Sequence, residues 1–488
     1  MLKEIRVACV RDPIHDYIYF TESLSPDVIA ERDIINTPWV QRLRRIFQLQ
    51  ASYLVYPGAT HTRFQHSLGV MQLAGNLARK LYDYFRIVFP DESIPEKNYV
   101  EEVFRLAGLL HDIGHGPFGH LLDDVYTYPR FGITHEDITY RIIEKELSPL
   151  IEKIRHSPNG KFQKKITASQ LIKFIKVPSS FENYELWEQI FAKIMLGPYS
   201  VDIIDFLLRD KYYCGTKEFG SVDMIRLLDQ SIITRGGLSL QKNAIPAFKG
   251  FLSTRLSMFR HIYFHEKKDL FEATIGFYLP RILELMGVTN VTKNLKRYYF
   301  LDDFSISSTL IKWSREERGE KRKLGKIWED IVVTRTTPFV PVLSGEKVYT
   351  KFVRKEEIPT EDAILKLLKS RVKFKCDIIA KVNIVDVRLQ NQFVKFDSIE
   401  DLRKNDNIKA ISIYDPHTNE ILGESLNNTL EEIPVKYMCW RVFVQKKYAE
   451  RVKTALKGFE DLEEVQLHLP LSGIRWDESK SRTEISNA

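Results

Sequence analysis

The run LAGLLHDIGHGPFGH, residues 106–120, constrains this chain more than any other stretch. LAGLL is apolar on nearly every side, which predicts a buried helix. A buried helix has little reason to end in adjacent ionisable residues unless they are paired or hold something. His111 and Asp112 follow one another, about 100° apart around a helix, so one cation between their directions can take both. His115 lies four residues after His111, on the same face of a continued helix. Gly114, Gly116 and Gly119 let backbone approach closely and leave His115 and His120 aimed at one cleft. Six of the 12 histidines (His61, His66, His111, His115, His120 and His135) fall within residues 61–135. Any one of them alone reads better as a core histidine satisfied by its neighbours; the set does not.

Around this centre the chain organises into a long helical part and a shorter mixed part. Residues 1–35 read as extended pieces and turns, with RDPIHDYIYF turning at Asp12-Pro13. Thr37 and Pro38 signal a helix start, with Val40, Leu43 and Phe47 at helical spacing. Helical periods recur near 66–86, 100–114, 134–147, 166–176, 183–196, 200–210, 221–230 and 245–288. The expected fold class is therefore a mainly α-helical core over 1–290 and a smaller C-terminal α+β region over 346–475. Between them, 291–345 is a charged connection whose alternating signs at 312–330 suggest a solvated helix or loop. In the C-terminal region a helix is expected from Pro359-Thr360 to Arg371, strands at 373–387, 407–414 and 439–445, and a helix at 448–456. The tail 476–488 has no apolar period and is expected to fray.

Composition narrows the class. Apolar residues are 44% and charged residues 28% of 488, which suits a globular chain rather than a disordered one. Four scattered cysteines without a CxxC pair argue against a disulfide scaffold or a cysteine-type zinc site and fit a reducing cytoplasm. No apolar run approaches the ~18 residues of a membrane span, and charge enters too early for a signal peptide. The net charge of +7 favours an anionic ligand without marking a nucleic-acid binder.

Two further segments complete a metal-binding pattern. TRFQHSLGV (62–70) puts His66 in the first turn of an amphipathic helix, with Arg63 one turn earlier. VDIIDFLLRD (201–210) puts Asp202, Asp205 and Arg209 on one face, with Ser200 as a helix cap. Mixed imidazole and carboxylate donors suit Fe, Mn, Zn, Co or Mg. Such an ion, with spare histidines and Arg63 beside it, points to hydrolysis of a phosphate ester.

His66, His111-Asp112 and Asp202 form the H…HD…D pattern of the HD-domain phosphohydrolases. RDPIH, TPWVQRLRR, YPGATHTRFQHSLGV, HDIGHGPFGH, THE and the 202–210 helix occur in order. Together they closely resemble the catalytic core of the deoxynucleoside triphosphate triphosphohydrolases of the sterile-alpha-motif-and-HD-domain type, with no sterile alpha motif in this sequence. The resemblance is dense from about residue 8 to 265.

It implies hydrolysis of a dNTP by water attack at the α-phosphorus, giving deoxynucleoside and inorganic triphosphate. It implies His66, His111, Asp112 and Asp202 as ligands of one divalent ion, with further Mg arriving on substrate phosphates. His115, His120 and His135 match the histidines beside the scissile phosphate, with His120 the expected proton donor and Glu136 the orienting carboxylate. Arg63 and Arg255 match phosphate contacts, Gln48 and Asp210 match the holders of the sugar 3′-hydroxyl, and Tyr263 matches the residue that crowds the 2′ position. Asn36, Gln41 and Arg44 match a guanine-nucleotide activator pocket between subunits, so a homo-oligomer (dimer or tetramer) is expected. Gln41 and Arg44 also read as plain interface residues.

Four positions depart from that pattern. Ile203 stands for a phosphate-binding lysine, Phe206 for a tyrosine, and Phe259 and Phe264 for a histidine and a glutamine. Each loses a hydrogen-bonding group, worth ~1.5–3 kcal/mol when charge-assisted. Asn36 replaces an aspartate and offers guanine one acceptor where a carboxylate offers two. These departures keep open a second reading, an HD phosphohydrolase for another nucleotide or a phosphodiester. A third reading is a non-catalytic nucleotide or single-strand nucleic-acid binder using KFQKK (161–165) and the charges of 312–326.

Overall fold

The computed structural model describes residues 4–457 apart from 221, 355–357, 389–391 and 397–398. The tail at 476–488 lies outside the described residues. The chain opens with an antiparallel hairpin, β1 (Ile5–Asp12) and β2 (Asp16–Ser23), turning at the expected Asp12-Pro13. Helix α1 (Pro38–Arg42) starts where Thr37 accepts a hydrogen bond from the Val40 amide. It is far shorter than its apolar spacing suggested. Phe47 leaves the helical path and bridges to Thr62 instead.

Two helices form the spine, α2 (Arg63–Val88) and α3 (Lys97–Leu110). At the start of α2 the Gln65 side chain accepts the orphaned amide of Thr62. Helix α3 carries Val103, Phe104, Leu106, Ala107, Leu109 and Leu110 fully buried, as an all-round apolar helix requires. It ends at Leu110 with His111 as its cap. His115 therefore owes its place to the following turn and not to a shared helical face. Around the spine lie α4 (His135–Ile142), α5 (Leu186–Leu196) and α6 (Val201–Cys214). Ser200 accepts the Ile203 amide at the head of α6, as its capping position requires.

The expected single helix over 245–288 is two, α7 (Ile245–Met258) and α8 (Glu266–Leu285), parted by a wide turn at Phe259–Tyr263. The charged stretch 312–330 belongs to a helical hairpin, α9 (Asp303–Glu316) and α10 (Gly319–Glu329). Its inner face buries Leu310, Trp313, Leu324 and Trp328, so the alternating charges decorate only the outer side.

Three antiparallel strands follow in the order β5 (Phe339–Tyr349), β9 (Lys436–Gln445), β6 (Ile378–Asp386). β5 was masked in the sequence by Pro341, which an edge strand tolerates beside a register shift. Helix α11 (Glu361–Arg371) and helix α12 (Ala449–Ala455) cover this sheet. A second sheet runs β8 (Glu420–Leu422), β7 (Ser412–Asp415), β4 (Gly237–Gln241), β3 (Ser231–Thr234). Its β4–β7 pairing is parallel and joins the helical part to the C-terminal region. Phe393, Leu402, Ile411 and Ile413 accordingly sit in the same core as the helical spine.

Candidate active site

Three elements deliver four potential ligands to one place. His66 comes from the first turn of α2, His111 caps α3, Asp112 follows it, and Asp202 sits in the first turn of α6. His66 Nε2 lies 3.0 Å from Asp202 Oδ1, and His111 Nε2 lies 3.5 Å from the same oxygen. Asp112 Oδ1 is 3.5 Å from His111 Nε2, and its Oδ2 is 3.9 Å from His66 Nε2. One ligand atom each from His66, His111 and Asp202 falls within 4.8 Å of the others.

The donor set fits a divalent ion. His111 Nδ1 is 2.8 Å from the Gly108 carbonyl, so it carries a proton and Nε2 is the ring nitrogen left to offer a lone pair to an ion. Among the described residues the nearest carboxylate oxygens to that buried Nε2 are those of Asp112 and Asp202, each at 3.5 Å. His66 is prepared in the same way, by Nδ1 donating to Asp205 Oδ2 at 2.8 Å.

Asp205 is itself locked. Its Oδ1 is 2.5 Å from His15 Nε2, and Arg209 reaches it through Nε at 2.9 Å and Nη2 at 3.0 Å. Arg209 in turn donates to Asp12 at 2.7 Å, so both ends of the RDPIH turn serve this network. Burial alone would raise the Asp205 pKa, but Arg209, His15 and His66 hold it well below the usual carboxylate range. A methyl on Gly69 would come within 2.0 Å of Asp205 Oδ1, so α2 passes close only because residue 69 has no side chain.

A second cluster abuts the first. The rings of His115 and His135 stack at 3.7 Å between centroids, and His120 meets them edge-on at 4.8 and 5.0 Å. His115 Nε2 lies 3.5 Å from Asp112 Oδ1, and Arg63 Nη1 donates to Asp112 Oδ2 at 2.5 Å. Burial raises the Asp112 pKa, but His111, Arg63 and His115 bring it well below its ordinary value. The carboxylate that orients His135 is Asp123, whose Oδ2 meets Nδ1 at 2.5 Å. Glu136 adds its charge to the same histidine. Sequence reasoning missed Asp123, although two acids within the apolar run LLDDVY were a visible signal.

Charge is divided unevenly among the three rings. Burial, Arg63 and His135 push His115 well below the ordinary histidine value. Burial, His135 and Arg63 bring His120 down to about 3. Burial also opposes charge on His135, yet Asp123 overcomes it and raises that pKa.

The turn holding these groups is pinned through its backbone. Arg42, fully buried, donates to the carbonyls of His115 at 2.6 Å and Leu301 at 2.7 Å. Tyr298 donates to Gly114 O at 2.7 Å, and Asp303 accepts the amides of Phe47 and Phe118 at 2.7 Å. Gly114 answers the expected need for close approach, since a methyl there would lie 2.1 Å from the His135 carbonyl.

The remaining site residues fall into a group around Asp210 and Tyr263 and a more exposed set at 36–44. Asp210 bridges His61 Nε2 and the Tyr263 hydroxyl, 2.7 Å from each. Gln48 Oε1 is buried with no hydrogen-bond partner. Phe206 and Phe259 pack edge-on to Tyr263, and Phe259 does the same to Phe264. The Arg255 guanidinium lies 5.6 Å over Phe259, and burial lowers its pKa to about 10. Asn36 and Arg44 are exposed and Gln41 is half-buried. Gln41 donates to Ile35 O and accepts from Arg44 Nε, each at 2.8 Å, while Arg44 covers the Phe64 ring.

Residues 63–184, which hold most of this donor arrangement, match the HD domain family. Among particular proteins, the chain is 31% identical over 278 residues to a Bacillus subtilis protein described as uncharacterized, covering 56% of each. It is 41% identical over 138 residues to the human deoxynucleoside triphosphate triphosphohydrolase SAMHD1, covering 28% of this chain and 20% of that one. The resemblance read from the motifs is therefore found again by comparison. The chain spans about half the length of the curated relatives it matches. A solved phosphohydrolase from Bacteroides thetaiotaomicron shares the fold at a TM-score of 0.61 and 22% identity, over 90% of this chain and 100% of that one. Among the described residues no helix is long and apolar enough to cross a membrane.

Proposed function

We propose that this protein is a metal-dependent phosphohydrolase that cleaves dNTPs at the α-phosphorus to deoxynucleoside and inorganic triphosphate. The observation that carries the reading is Asp112. Its Oδ1 stands 3.5 Å from His111 Nε2 in the ligand set and 3.5 Å from His115 Nε2 in the histidine cluster. A metal-ligand set and a proton-handling set thus share one carboxylate, as hydrolysis of a phosphate ester needs.

His66, His111, Asp112 and Asp202 would hold a divalent ion, whose identity their chemistry leaves among Fe, Mn, Zn, Co and Mg. Such an ion supplies Lewis acidity toward a phosphoryl oxygen and a lowered pKa for water. The chain's own residues do the rest. Arg63, beside Asp112 and the histidines, offsets the negative charge that grows on the phosphoryl oxygens. Departure of a 5′-alkoxide needs a proton. His135, whose pKa Asp123 raises, is the ring of the cluster that most favours the proton, and half-buried His120 is its most accessible ring. An anionic phosphate beside His120 offsets Arg63 and His135, so His120 can take up the proton and deliver it. Tyr263, Asp210 and Gln48 form the proposed sugar wall, and Arg255 a phosphate contact. Activation by a guanine nucleotide at Asn36, Gln41 and Arg44, within a dimer or tetramer, belongs to the same proposal.

A second reading, cleavage of another nucleotide or a phosphodiester, is favoured by the apolar residues Ile203, Phe206, Phe259 and Phe264 in this wall. Product analysis separates the two. Protein incubated with each dNTP, alone and mixed, with Mn²⁺ or Mg²⁺ and with or without GTP, should yield deoxynucleoside and intact triphosphate. Asp112→Ala should lose both bound metal and turnover while keeping its helical circular dichroism. Phosphate, pyrophosphate or nucleoside monophosphate as product would exclude the triphosphohydrolase reading.

A further inference from the structure

The segment 399–415 lies in the C-terminal region, yet it is fastened to the helical core by buried hydrogen bonds. From α5, the Gln189 side-chain amide donates to the carbonyls of Leu402 at 2.7 Å and Asn405 at 3.2 Å. One turn later the buried Lys193 ammonium donates to Ala410 O at 2.5 Å. Immediately beyond, β7 runs parallel to β4 with Ser412 opposite Ser239. Leu402, Ile408, Ala410 and Ile411 are buried beneath the segment. Residue 409 is therefore held from both sides, and its backbone carbonyl is taken by Gln392 Nε2 at 2.8 Å.

Lys409 points back at the catalytic side of this seam. Its Nζ lies 3.4 Å from the carbonyl of Gly197, the cap of α5, three residues before Ser200 begins α6. The charged groups acting on it are Arg255 and Asp202. Among the described residues Lys409 makes no ion pair. Lys409 is half-buried, with the positive charge of Arg255 acting on it; an ammonium so placed without a paired anion is costly, and a bound polyanion removes the cost. Its pKa is accordingly brought down to about 8, by burial and then by Arg255, with Asp202 opposing. At position 203, where the family resemblance calls for a lysine, this chain has buried Ile203.

We infer that Lys409 is a phosphate-contacting residue, supplied to the site by the C-terminal region, and that with Arg255 it receives the outer phosphates of a polyphosphate substrate. The assignment of that polyphosphate to a dNTP rests on the function proposed above. The test uses inorganic tripolyphosphate as probe, titrated calorimetrically into the full chain. Lys409→Met and Lys409→Gln should each weaken binding about 10–100-fold, the loss of a charged hydrogen bond. Lys409→Arg should retain most of it, and Lys404→Met, at an exposed lysine of the same segment, should change nothing. Binding of the free deoxynucleoside should be the same in all variants. On the unsubstituted protein, tripolyphosphate should protect Lys409 from acylation by an N-hydroxysuccinimide ester and leave Lys404 reactive, a readout that needs no variant to fold. Undiminished tripolyphosphate affinity in the neutral variants, absent protection, or equal loss of nucleoside and tripolyphosphate binding would each overturn the assignment. Lys409-dependent tripolyphosphate binding without triphosphate release from any dNTP would overturn the dNTP reading and leave Lys409 as a polyphosphate contact.

Discussion

Asp123 decides where the proton of the histidine cluster resides. It accepts from both the backbone amide and Nδ1 of His135, and His135 alone among the three rings has a raised pKa. A group with a raised pKa is charged below that value and loses the proton as pH climbs through it. Asp123→Asn removes the attracting charge, so the proton leaves His135 at lower pH. The expected result is that the basic limb of the kcat–pH profile moves to lower pH and kcat near neutrality falls about 10–100-fold, as for other orienting partners. Bound metal should be unchanged. An unmoved basic limb would show that His135 does not carry the relevant proton. The candidate ligand residues His66, His111, Asp112 and Asp202 were legible because each lies inside a local motif. Asp123, Arg42 and His15 were not recognised for their roles, because those depend on partners across the fold. Arg42 meets Leu301 across 259 positions, and His15 meets Asp205 across 190.

Helix α3 shows how an element can be apolar enough to bury and still carry charge inward. Arg105 pairs with Glu31 at 2.5 Å, both fully buried, but neighbouring Glu102 is buried with neither carboxyl oxygen hydrogen-bonded among the described residues. Burial first, then the negative charge of Glu31, raises the Glu102 pKa well above its ordinary value. The unfolded chain releases this proton near pH 4.5 while the folded chain keeps it. Stability is then lost as pH rises from that value toward the folded pKa, by about 1.4 kcal/mol per pH unit between the two. Glu102→Gln should abolish this component, so its melting temperature should gain on the wild type as pH rises from 5 to 8. Parallel curves would mean that Glu102 is ionised in the folded protein. At this scale the sequence named α3 correctly but ran it past Leu110. It counted HDIG as helical because periodicity cannot see a turn pinned by Arg42, by Tyr298 and by Thr139, whose hydroxyl accepts the Gly114 amide at 2.9 Å. It likewise missed the break between α7 and α8, where an aromatic run keeps its helical composition through a wide turn.

For the whole molecule, the helical part and the C-terminal region share one apolar core, and the seam between them reaches Gly197, just before the helix that carries Asp202. The 407–414 run had strand character in the sequence. Nothing local said that its partner is β4, far upstream, since a parallel pairing leaves no turn signature. Nor did Lys193 announce itself, because a lysine in a helix normally reads as solvated. Its buried ammonium and the Gln189 amide instead tie down segment 399–410, and each lost donor leaves a carbonyl unmatched at about 1–3 kcal/mol. The double variant Gln189→Ala/Lys193→Met should therefore exchange backbone deuterium faster across 399–415, while the β5–β9–β6 sheet exchanges as before. If Lys409 serves the site, KM for the substrate should rise in this variant, with kcat under saturation changing far less. Unchanged exchange across 399–415 would mean that Leu402, Ile408 and Ile411 hold the segment by packing alone. Faster exchange with unchanged KM would separate the seam from substrate binding and leave it a purely structural joint.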